Sequence, residues 1–168
     1  MQTATRHDYD VGLVWEGNQG PGTRDYASYG REFRIVVRDK PDLIGSADPA
    51  FRGEPRLHNP EELLLAAVAS CHMLFYLSLC ARGGITVTRY SDTASGRLAV
   101  LASGGGSFEE VLLRPRVTIS RESDRAAAAL LHTRANALCF IANSCKFPIR
   151  HEAEIRIQGL NTAAEAAG

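Results

Sequence analysis

Surplus charge is the first thing this chain lacks. Nineteen Lys and Arg stand against nineteen Asp and Glu, for a formal net charge of zero. Without a basic excess, neither nucleic acid nor an anionic membrane is an expected partner. Residues 1–8 carry no apolar signal core, so the protein is expected to be cytoplasmic. No CxxC or HxxxH spacing occurs, which leaves a zinc site unsupported. The one glycine run, Ser103 to Ser107, lacks the Lys and Ser/Thr of a phosphate-binding loop and lies between strand-like segments. It reads as a hairpin turn. No internal repeat is present. Cysteine is scarce, at four residues, and a cytoplasmic disulfide is more often transient and catalytic than structural.

What remains is ordinary globular composition, 168 residues with 45% hydrophobic and 23% charged. One domain over 1–168 is expected, large enough to bury a core. The longest apolar run, Leu63 to Ala81, contains only Ser70, His72 and Ser78 as polar residues and meets the length threshold for a membrane span. It opens with a soluble-helix signature, however, and ends on Arg82-Gly83-Gly84 before a strand-like segment. A core helix apolar on all sides is the expectation, with no membrane.

Residues 9–17, 23–29 and 33–37 read as strands, the last because Phe33-Arg34-Ile35-Val36-Val37 is rich in β-branched residues. Residues 38–58, with three prolines and two glycines, read as a long surface loop. Asn59 is a favourable N-cap, Pro60 suits the first helical position, and Glu62 stands where a capping-box carboxylate belongs. That helix should end near Arg82, with a glycine supplying the left-handed stop. A strand from Ile85 towards Leu101 and another from Phe108 to Ser120 follow. Asp124 caps a second helix, expected to run to about Ser144, and His151 to Gln158 forms the last strand. The tail, 161–168, is expected to be disordered. The order is β-β-β-α-β-β-α-β, an α+β fold.

Cys71 and Cys139 lie in stretches that read as buried helix, and thiols on two packed helices can form a redox pair. Cys71 and Cys80 are nine residues apart on one helix, about 13 Å at the helical rise. Cys139 and Cys145 would be about 9 Å apart if their helix continued. A disulfide needs Cα atoms within about 7 Å, so any bridge within the chain must join the two helices. Burial alone makes such thiols inert by raising their pKa, and Cys71 is too far along its helix for the N-terminal dipole to help. A cation is needed, and spacing does not identify it. His72 adjoins Cys71 but points about 100° away around the helix, so it is no obvious general base. His132 and His151 read as solvated or strand residues, and Cys80 as core.

Asn59-Pro60-Glu61-Glu62-Leu63-Leu64-Leu65-Ala66-Ala67-Val68-Ala69-Ser70-Cys71 resembles the first cysteine motif of the OsmC/Ohr family of thiol-dependent hydroperoxide reductases. Cys139-Phe140-Ile141-Ala142-Asn143-Ser144 resembles its second, as found in the OsmC-like branch, and the segments at Asp48 to Gly53 and Phe147-Pro148 are similar too. The resemblance covers roughly residues 10–158 and implies two packed central helices against antiparallel sheets, in an intertwined homodimer with active sites at the subunit interface. It implies that Arg31, oriented by Glu61, stabilises a Cys71 thiolate that reduces organic hydroperoxides. Cys139 then resolves the Cys71 sulfenic acid as a Cys71–Cys139 disulfide, which an external dithiol, lipoyl or another thiol, reduces. No metal or organic cofactor is required. Cys145 departs from the family pattern and leaves open which thiol resolves. The competing expectation keeps the fold and drops the chemistry: a binding protein for a lipid-like or other small ligand.

Overall fold

Local hydrogen bonds decide where the first half of the chain extends and where it does not. In a computed structural model, residues 5–160 are described; the tail 161–168 lies outside the described residues. The chain divides into two units, Met1–Leu63 and Leu64–Gly168. In the first, β1 (Gly12–Trp15), β2 (Phe33–Val36) and β3 (Leu43–Gly45) form an antiparallel meander, with Trp15 opposite Phe33 and Phe33 opposite Gly45. The strand expected at 23–29 is absent. There the side chains of Asp25 and Ser28 bond nearby backbone groups instead, the competition that turns such residues away from a ladder. Conversely, the segment read as a long loop contains β3. Asp39 turns the chain with a φ of 61°, and the apolar pair Leu43-Ile44 then pairs with β2.

The long helix α1 (Pro60–Arg82) begins as its sequence predicts. The amide of Glu62 donates to Asn59 Oδ1 at 2.8 Å, and the Asn59 amide donates back to Glu62 Oε2 at 3.3 Å. That reciprocal capping satisfies two otherwise orphaned donors. At the other end Gly84, with φ of 72°, provides the left-handed stop. By length and composition α1 could cross a membrane. Its fully buried residues are Val68, His72, Tyr76 and Cys80, one narrow stripe at four-residue spacing that packs into the second unit's core. Other large residues on it, such as Leu74, stay open in the single chain.

The second unit holds two three-stranded sheets. One joins β4 (Val87–Asp92), β7 (Pro115–Ile119) and β9 (Glu154–Ile157); the other joins β5 (Ser95–Val100), β6 (Gly106–Leu113) and β8 (Ile149–His151). The two long strands expected at 85–101 and 108–120 each break in two and pass from one sheet to the other, at Thr93-Ala94 and at Arg114. The last strand, expected from His151, is β9 preceded by β8, with the switch at Glu152-Ala153. The breaks are pinned together: the Arg114 amide donates to Asp92 Oδ1 at 2.7 Å and the Glu152 amide to the Leu113 carbonyl at 2.9 Å. Bent strands that switch sheets are how a chain makes the corner between two packed layers. The sheets are mixed, because β8 and β9 return after a helical crossover and pair in parallel with β6 and β7. Tyr76 and Cys80 of α1 pack with Val117, Ile119 and Ile155, while Val68 packs with Val111 and Leu113. Each fully buried side chain of this size contributes about 1.5–3 kcal/mol. The fold is α+β, as the element order implied.

The second helix is not continuous. Asp124 caps α2 (Arg125–Leu138) by accepting from the amides of Ala126 and Ala127. At Cys139 the backbone turns extended, with ψ of 115°, before a short helix α3 (Phe140–Ser144). Cys139 is therefore a junction residue and not a mid-helix one, without any Gly or Pro to announce it. Side chains hold the break open: Asn143 Nδ2 donates to the Ala137 carbonyl and Asn136 Nδ2 to that of Ile149.

Candidate active site

Cys139 and Cys71 meet within the second unit as reduced thiols. The break between α2 and α3 buries the Cys139 side chain completely and leaves its Sγ accepting from the Ala142 amide at 3.4 Å. Burial first, and then the hydrogen bond and charge of the neighbouring Cys71, push the Cys139 thiol up to about 11. It is protonated at neutral pH. Cys71, on α1, is only half-buried and so is open to a reactant. An accessible sulfur beside a buried, protonated one is an unequal pair. Such a pair suits one thiol to attack and the other to resolve.

The other thiols are arranged differently. Cys145, at the end of α3, directs its Sγ to the Ile141 carbonyl at 3.2 Å and packs against the Val68, Val111 and Leu113 cluster. Burial raises its pKa as well. Cys80 is buried near Tyr76 in the core. Phe75 and Phe140 contact edge to face with centroids 4.9 Å apart. Phe75 lies one turn beyond Cys71, and Phe140 directly follows Cys139.

The remaining two site residues predicted from sequence belong to the first unit. The Arg31 guanidinium lies over the rings of Tyr26 and Tyr29, at 4.4 and 4.0 Å. It also donates to the carbonyls of both residues. This cradle is tied to β1, because the Gly30 amide donates to the Gly17 carbonyl and Trp15 Nε1 to that of Gly30. A Cβ at Gly17 would collide with the Gly30 carbonyl, so glycine is required for this approach. Glu61 sits in the first turn of α1, half-buried. Among the described residues, neither Arg31 nor Glu61 takes part in an ion pair. No group of three or more His, Cys, Asp or Glu among them is arranged to hold a metal ion.

One cluster escaped the sequence reading. His132, read there as solvated, is fully buried on α2, as is His72 on α1. His72 Nε2 and His132 Nδ1 lie 3.0 Å apart, with ring planes 8° from parallel and centroids 5.3 Å apart. The centroid separation exceeds the nitrogen separation by about two ring radii, so the rings lie edge to edge and share an in-line N–H···N bond. Tyr76 lies flat on His132 at 3.8 Å, and His151 of β8 leans on both rings. The outer nitrogens, His72 Nδ1 and His132 Nε2, have no partner among the described residues. The signal was the spacing of Ala128, His132 and Ala135, which places all three on one face of α2.

Comparison with known proteins identifies the family and the fold. The sequence model of the family described as OsmC-like protein matches residues 53–154. An uncharacterized protein, YmaD, of Bacillus subtilis is 24% identical over 106 residues, 60% of this chain and 70% of the relative. The solved structure of an OsmC-like protein of unknown function, VCA0330, from Vibrio cholerae is 29% identical, with a TM-score of 0.80 over 89% of this chain and all of that one. An organic hydroperoxide resistance protein OsmC from Legionella pneumophila shares the fold at 18% identity, with a TM-score of 0.64 over 90% of this chain and 99% of its own. The matched segment holds both meeting cysteines, and the chain belongs to the OsmC-like protein family.

Proposed function

We propose that this protein is a thiol-dependent peroxidase that reduces organic hydroperoxides in the cytoplasm as part of an oxidative-stress defence. The observation that carries the reading is the unequal thiol pair, with Cys71 half-buried beside a fully buried, protonated Cys139. The Cys71 thiolate attacks the terminal oxygen of the O–O bond, leaving an alkoxide that takes up a proton as alcohol and a Cys71 sulfenic acid. Cys139 then attacks that sulfur. Its proton departs with the sulfenic hydroxyl as water, and a Cys71–Cys139 disulfide forms. A dithiol, lipoyl or another, reduces the bridge by exchange and is itself oxidised. Arg31 is assigned to stabilise the Cys71 thiolate, with Glu61 to orient it.

Several features support the reading. Phe75, one turn beyond Cys71, and Phe140, next to Cys139, contact one another, and an apolar pair contributed from both cysteine segments favours an organic peroxide over hydrogen peroxide. The open apolar residues of α1 and α3, Leu74 and Phe140 among them, fit a homodimer that covers them and completes the site. A solved relative in the fold is named an organic hydroperoxide resistance protein. The test is a free-thiol count on fully reduced protein before and after one equivalent of an organic hydroperoxide. Rapid loss of two thiols in wild type and none in Cys71→Ser is the expected result; four surviving thiols would overturn the proposal.

A further inference from the structure

The outward face of the sheet formed by β4, β7 and β9 carries a groove of about 460 Å³. Alternation sends Val117, Ile119 and Ile155 into the core, so Arg116, Thr118 and Arg156 face away from it. Register then sets the groove's floor. Arg89 stands opposite Thr118, and Thr118 opposite Arg156, so one row across three strands reads Arg, Thr, Arg. In the next row Ser91 stands opposite Arg116 and Arg116 opposite Glu154. Among the described residues the groove is lined by these three arginines and by no carboxylate, in a chain whose net charge is zero.

A solvated sheet face normally alternates sign between strands, as Arg116 and Glu154 do, because like charges across a sheet destabilise it. The row of Arg89, Thr118 and Arg156 does not alternate. Glu154 is engaged by Arg156 at 2.8 Å and by Arg116 at 3.9 Å, and Arg89 has no ion pair or side-chain hydrogen bond among the described residues. Two guanidinium groups flanking a hydroxyl, one of them also bonded through Nε to Glu154, with a third nearby, supply donors of the kind a phosphate group requires. The volume is that of a small-molecule site.

We infer that this groove binds a phosphate-bearing small-molecule anion, held between Arg89 and Arg156 over Thr118 with Arg116 as a further donor. The site is separate from the thiol pair and does not depend on the peroxidase reading. The probe is inorganic pyrophosphate, titrated calorimetrically into the full chain at two salt concentrations. Saturable binding is expected, weaker at the higher salt and weakened roughly tenfold or more by Arg89→Gln, with thiol chemistry unchanged. Circular dichroism of the variant checks that the exposed substitution leaves the fold intact, and Thr118→Val provides a second variant that removes a donor without altering charge. Sedimentation with phosphatidic acid vesicles separates a lipid headgroup from a free phosphate. Absence of saturable heat at millimolar pyrophosphate, equal binding by wild type and Arg89→Gln, or capture by vesicles alone would overturn the inference.

Discussion

Acidification is predicted to destabilise this protein through its buried histidines, and their surroundings set the size of the effect. His72 and His132 are fully buried and bonded to one another. His151 and Tyr76 face them, and no carboxylate acts on either ring. Burial, and then the charge of His151, lowers His72 from 6.5 to about 4. Burial, and then His72 and His151, lower His132 from 6.5 to about 3. Both folded values lie below the unfolded one, so as pH falls the unfolded chain takes up protons first. The stability of the neutral pair is fully present above about pH 6.5 and is lost progressively down to about pH 4 for His72 and about pH 3 for His132. Each proton bound only by the unfolded chain shifts stability by about 1.4 kcal/mol per pH unit. Between pH 6.5 and 4.5 that amounts to about 3 kcal/mol if one ring resists protonation and about 5 if both do. Domains have only about 5–15 kcal/mol in total. The assay is urea unfolding at several pH values for wild type and for His72→Leu/His132→Leu, which removes both partners and strands neither. Surface carboxylates titrate in both proteins, so the difference between the two curves reports the pair together with its coupling to His151. A double variant whose stability falls with pH in parallel with wild type would refute the reasoning.

Two further predictions concern single positions. Cys139 in the folded, reduced protein should resist iodoacetamide at pH 8, since burial and Cys71 hold its thiol near 11; labelling as fast as in denatured protein would contradict that burial. Asp124→Ala should cost about 1 kcal/mol in a denaturation midpoint, because the carboxylate accepts from the amides of Ala126 and Ala127; an unchanged midpoint would mean that water replaces the cap at no cost.

Patterns that act over a few residues were legible in the sequence. The reciprocal cap of Asn59 and Glu62, the Asp124 cap and the stop at Gly84 all depend on neighbours within one turn. The α+β order followed from them, and the two cysteine segments were specific enough to identify the family. Pairing across the chain was not legible in the same way. Leu43-Ile44 becomes a strand only because β2 offers a free edge, and residues 23–29 lose theirs to side-chain bonds that compete with any ladder. The break at Cys139 and the bends at Arg114 and Glu152 exist because packed elements impose them on residues that carry no local signal, and the His72–His132 bond exists because two helices meet. A thiol's partner and a histidine's burial are properties of two helices meeting. Their chemistry was therefore decided by the tertiary structure, where distance and desolvation act together.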